Sequence, residues 1–73
     1  MENLDFNFRR FKEQQLFIID RIDAATNIYE IDYCKELIEC FLTINTDYFK
    51  SKKNWQEYVF LIQKLGAREN ELF

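Results

Sequence analysis

Leu4, Phe8, Phe11, Ile18, Ile22 and Ala25 recur at three- and four-residue steps along the first third of the chain, interrupted only by Gln15. That period places them on one face of an α-helix. Cys34, Leu37, Ile38, Phe41, Ile44, Asn45 and Tyr48 carry the same period through the middle, and Trp55, Tyr58, Val59, Ile62 and Leu65 form a third stripe. Asn3 and Ser51 stand where N-caps belong, and Asn27-Ile-Tyr-Glu30 reads as a capping box. Gly66 stands where a helix would end in a C′ residue. The pattern predicts three helices over about 4–26, 28–50 and 52–65. Thr43-Ile44-Asn45-Thr46 is a weak helix former and marks a possible break in the second.

Short connections make sequence neighbours antiparallel, so the first two helices are expected to form a hairpin, with the shorter third helix added to it. At roughly 1.5 Å per residue each long helix would span about 34 Å, leaving one side of the seam open. Pairing two copies into a helical bundle would close it, and a homodimer is the expected state.

Composition narrows the fold by subtraction. Among 73 residues there is one glycine, no proline and no histidine, too few turn formers for a tight-turned β architecture. The fold class is all-α, in a single domain over 1–73. The 48% apolar content excludes plain disorder, and no apolar run approaches the roughly 20 residues of a membrane span. Nor does Met1-Glu-Asn-Leu-Asp-Phe resemble a secretory signal, so a cytoplasmic protein is expected. Heavy use of Asn, Ile, Lys, Phe and Tyr points to a low-GC bacterium, or to a phage and hence its host cell.

Aromatic residues reach 18%, eight of them Phe, more than a core this small readily hides. Apolar side chains cover about 200° of the second helix, where a surface helix uses little more than about 100°. Phe6, Phe17 and Phe60 fall off the stripes. These three define an expected dimer or partner interface.

Candidate chemistry is sparse. Asp20-x-x-Asp23 and Glu36-x-x-Glu39 have the spacing of carboxylate pairs that hold divalent cations in helical bundles, but both lie opposite their apolar stripes and cannot converge. Cys34 and Cys40 are about 120° apart around a helix, so they cannot bridge each other, and no histidine completes a zinc site. They are expected to be free thiols. Without histidine, and with Ser51 best explained as a cap, no nucleophilic constellation forms. No catalysis, cofactor or metal is expected.

Charge is uneven behind a net −3. Lys50, Lys52 and Lys53 lie beside Tyr48, Phe49 and Trp55, a basic cluster with aromatics that would suit stacked bases. Arg9, Arg10 and Lys12 form a smaller one. Against this, an acidic chain has few charges with which to neutralise phosphates. Asp32, Glu36, Glu39 and Asp47 share the solvent side of the second helix, a docking surface for a basic partner. The expectation is a non-catalytic protein that binds and inhibits or regulates a larger protein, of the kind phages and mobile elements use against defence systems or toxins. A dimeric helical nucleic-acid-binding regulator is the alternative.

Overall fold

The computed structural model describes residues 10–73. Three α-helices follow one another: α1 (Phe11–Ala24), α2 (Ile28–Ile44) and α3 (Lys52–Leu72), with a 3-10 turn at Tyr48–Lys50 between α2 and α3. No strand occurs among the described residues. The expected cap at Asn3 and the interface residue Phe6 lie outside them.

The α1–α2 corner is built as its residues require. Asn27 Oδ1 accepts the Glu30 backbone N–H at 3.0 Å. The Glu30 carboxylate reaches back to accept the Thr26 backbone N–H at 3.2 Å and the Thr26 hydroxyl at 3.3 Å. This reciprocal arrangement satisfies amides that a helix start leaves unpaired.

α2 stops at Ile44, short of the expected 50. Its last turn is rich in β-branched residues, and its polar side chains compete for the carbonyls that would continue the ladder. The Thr43 hydroxyl donates to Glu39 O at 3.0 Å and the Thr46 hydroxyl to Thr43 O at 2.8 Å. Asn45 Nδ2 donates to Phe41 O at 2.9 Å and to Gln14 Oε1 on α1 at 3.0 Å. Asp47 therefore sits in the connection and is not on the α2 face.

α3 errs in the other direction and runs straight through Gly66. No described residue has a positive φ, so Gly66 is an ordinary helical residue in a 21-residue helix. Glycine in such a place costs roughly 0.5–1 kcal/mol against alanine. The turns beyond it stay helical because they are tied to the rest of the chain: the Arg68 guanidinium donates to Ala25 O, and Glu69 Oε1 lies 3.6 Å from Lys35 Nζ.

α3 packs against both α1 and α2, which also pack against each other. The hairpin is thus neither elongated nor open. α1 and α2 have 14 and 17 residues, about 21 and 26 Å at 1.5 Å per residue, and the described chain measures 34 × 29 × 15 Å. Ile31, Cys34, Leu37, Ile38 and Phe41 of α2 are all buried together with Ile18 and Ile22 of α1 and Leu61 and Leu65 of α3. Most of the wide apolar arc of α2 is accordingly covered from within the chain, by α1 on one flank and α3 on the other, while Ile44 at its end stays 42% exposed. It does not call for a second copy.

At the end where α1 begins and α3 begins, a knot of rings closes the core. Phe49 is its hub, with ring centroids 5.4 Å from Phe41, 6.0 Å from Phe11, 5.2 Å from Tyr48 and 6.1 Å from Tyr58. Tilted and edge-on pairs at these separations suit the ring quadrupoles.

Candidate functional site

Two contacts orient α2. On one flank, the Arg21 guanidinium of α1 lies over the Tyr33 ring, 5.4 Å from its centroid. On the other, Lys35 Nζ reaches Glu69 of α3 at 3.6 Å. Between these flanks, directly away from the core, α2 presents Tyr29, Asp32, Glu36 and Glu39, all exposed. Their phases follow from about 100° per residue, so they form one strip along the helix.

This outer face combines one large ring with like charges. Tyr29 is 81% exposed, the most exposed large apolar side chain among the described residues. Among the described residues, Lys35 is the one base seen to pair with an acid of the strip. It lies 4.0 Å from Asp32 but is drawn towards Glu69 on α3. Among the described residues no cation pairs with Glu36 or Glu39, and exposure leaves both free to meet one from outside. Asp47, expected in this group, is separate and lies 3.2 Å from Lys50. Tyr29 escapes a reading that treats it as the interior of a capping box; its spacing of three and seven from Asp32 and Glu36 was the available signal.

The off-stripe phenylalanines do not make one surface. Phe17 lies one turn before Arg21, on the α2 flank of α1, and is half-buried against the core. Phe60 lies one turn before Lys64, which pairs with Asp23 of α1, so it sits on the α1 flank of α3 and stays 51% exposed. Helical phase tells how far a residue is from the stripe but not which neighbour it meets. α3 packing beside α1 puts Phe17 and Phe60 on opposite flanks of that helix.

At the basic cluster, Lys50 is held by Asp47 and Lys52 and Lys53 are exposed in the first turn of α3. The neighbouring rings are engaged with each other. Phe49 is buried, and Trp55 lies 4.7 Å from Tyr58 and 6.5 Å from Phe49. The Tyr48 hydroxyl donates to the Glu57 carboxylate, and that bond raises the phenol above its ordinary range. Bases would find only part of Trp55 and Tyr48 to stack on.

Asp20 and Asp23 do not converge with Glu36 and Glu39, and no group of His, Cys, Asp or Glu suited to a metal occurs among the described residues. Cys34 and Cys40 are free thiols, Cys34 buried and its thiol pushed up by desolvation. Among the described residues, no helix is long and apolar enough to cross a membrane.

Compared with known families, curated proteins and solved structures, the chain matches no family model, no curated protein and no solved structure.

Proposed function

We infer that the protein is a small non-catalytic binder that inhibits or regulates a larger protein, and that it docks through the outer face of α2. One observation carries this reading: Tyr29, 81% exposed, shares a helix face with Asp32, Glu36 and Glu39. A ring with an apolar body and a polar tip is the kind of side chain that anchors interfaces. Carboxylates beside it steer a basic partner in and fix its register. The partner offers an apolar or cation-lined pocket for Tyr29 and at least two lysines or arginines for Glu36 and Glu39. Codon-biased composition favours a phage or mobile-element inhibitor acting in the cytoplasm, and self-association accompanies this role.

The nucleic-acid alternative has less support. Lys50 is neutralised locally by Asp47, and the rings beside the lysines pack against one another.

A benzophenone side chain in place of Tyr29, irradiated in cells that express the protein, tests the proposal. A single adduct of defined mass should form, should be missing when the probe replaces Gln63 on α3, and should fade with Glu36→Lys and Glu39→Lys. Equal labelling from both positions, or none from position 29, would refute the α2 face.

A further inference from the structure

α2 and α3 run antiparallel: Phe49 links Phe41 to Tyr58 at one end, and Lys35 reaches Glu69 towards the other. That ion pair lies along the groove between the two helices, on the flank of α2 opposite Tyr33 and α1. At about 100° per residue, Asp32 and Glu39 stand about 60° and 40° beyond Lys35 on the solvent side of α2. Trp55, Ile62, Gly66 and Phe73 stand about 20–60° beyond Glu69 on the solvent side of α3. Trp55, Ile62 and Phe73 are exposed and Gly66 is half-exposed. The Lys35–Glu69 pair also sets the level along the groove, with Glu39 opposite the turn of Gly66 and Asp32 opposite that of Phe73.

The two walls state the chemistry of what fits between them. The α3 wall is apolar from Ile62 to Phe73, and a Cβ added at Gly66 would meet nothing within 4 Å, so a close approach is open there. The α2 wall is acidic: with Glu36 behind it and Glu69 at the base, four carboxylates face the single ammonium of Lys35. The complement is a segment apolar along one face and basic along one adjoining edge. Backbone chemistry decides its form. Two helices offer no free row of N–H and C=O groups, so an extended segment would leave its own unpaired, whereas a helix satisfies them internally. From Trp55 to Phe73 the groove is about 27 Å long, the length of a helix of about 18 residues.

We propose that the groove between α2 and α3 receives one amphipathic helix of the larger partner, its apolar ridge on Ile62, Gly66 and Phe73 and its lysines or arginines on the edge over Asp32 and Glu39. The inference rests on the docking role proposed above and gives that partner a form. Tyr29 and Glu36, further round α2, meet the partner beyond this helix.

Trp55 is the single tryptophan and Gly66 the single glycine of the chain, so indole fluorescence and the one glycine amide resonance report on the groove directly. The probe is a displayed library of helix-forming 18-residue peptides, selected on the purified protein. Enriched peptides should carry apolar residues at steps of three and four with lysine or arginine along one edge, and should shift both reporters. Their affinity should fall at least about tenfold with Ile62→Glu and with Glu39→Lys. Gly66→Leu, which fills the groove but leaves the fold intact because the position is open and leucine favours helix, should do the same. No enrichment, enriched peptides that are acidic or lack the helical period, or binding indifferent to these variants would overturn the groove. The adduct from position 29 tests the α2 face separately, so that reading can stand when the groove fails. A wild-type dimer in light scattering that Ile62→Glu dissolves would assign the groove to a second copy and overturn the partner helix.

Discussion

The guanidinium of Arg68 holds the carbonyl of Ala25 with two hydrogen bonds, Nε at 3.0 Å and Nη2 at 2.7 Å. They join residues 43 apart in sequence. Ala25 follows the last residue of α1, where helical carbonyls run out of partners, so a cation is well matched to it. With the Lys64–Asp23 and Lys35–Glu69 pairs, this bond docks the second half of α3 onto the α1–α2 corner.

Arg68→Ala removes a charged donor pair and leaves a half-buried carbonyl unserved. A loss of about 1.5–3 kcal/mol is expected, read as a lower midpoint in urea with an unchanged slope. Lys64→Ala, which removes only a partly exposed ion pair, should cost less than about 1 kcal/mol. Equal effects would mean that the guanidinium bonds carry no special weight.

Gly66→Ala is expected to stabilise the chain by about 0.5–1 kcal/mol, because the site is helical and the new methyl meets nothing. The measurement belongs at concentrations low enough for the chain to be monomeric, so that self-association does not enter. A destabilised variant would contradict the open, helical environment of Gly66.

Asn45 and Gln14 form a second long-range tie. Gln14 is 2% exposed and its Oε1 accepts Asn45 Nδ2 at 3.0 Å, while the same nitrogen stops α2 at Phe41 O. Asn45→Ala should cost about 1–3 kcal/mol, since it leaves a buried acceptor without that donor. Asn45→Asp keeps the shape but replaces the donor by an acceptor, and should do no better.

How much of this was legible beforehand follows from which forces are local. The helical class, the Asn27–Glu30 cap and the weakness of Thr43–Thr46 are properties of neighbouring residues, and the sequence displays them. The stop at Ile44 depends on Gln14 as well, which is 31 residues away. The continuation through Gly66 depends on Arg68 finding Ala25, and a glycine alone reads as an end. Covering of the α2 arc by α3 is tertiary too, so the arc alone does not tell how much of it the chain covers itself. At the outer face, Glu36 and Glu39 were readable from phase alone. Tyr29 is hidden by its place inside the capping box, and Asp47 joins the face only if α2 runs on to residue 50, whereas it ends at Ile44.

The Cys34 thiol makes a prediction about alkaline pH. Burial raises its pKa above the ordinary 9.0, ahead of the opposing pull of Arg21. The unfolded chain therefore gives up this proton at lower pH than the folded one. Stability held below about pH 9 should fall as pH rises through the folded value. Cys34→Ala, although less stable overall, should flatten that decline, and the reagent that labels thiols in the native protein should reach half-exposed Cys40 before Cys34. A decline unchanged in Cys34→Ala would assign it elsewhere, to Tyr48 first, whose phenol is also raised in the folded chain by its bond to Glu57.

The outer face of α2 is the docking surface proposed above, and its most direct measurement is association rate against salt for the captured partner. The wild type should associate faster as salt falls, because exposed carboxylates steer the encounter over a Debye length of about 10 Å at 0.1 M salt. Glu36→Lys with Glu39→Lys should slow association at low salt and flatten the dependence, with helicity unchanged. Tyr29→Ala should leave the rate nearly intact and speed dissociation instead. Rates and salt dependence identical to wild type in a folded Glu36→Lys, Glu39→Lys variant would contradict the claim.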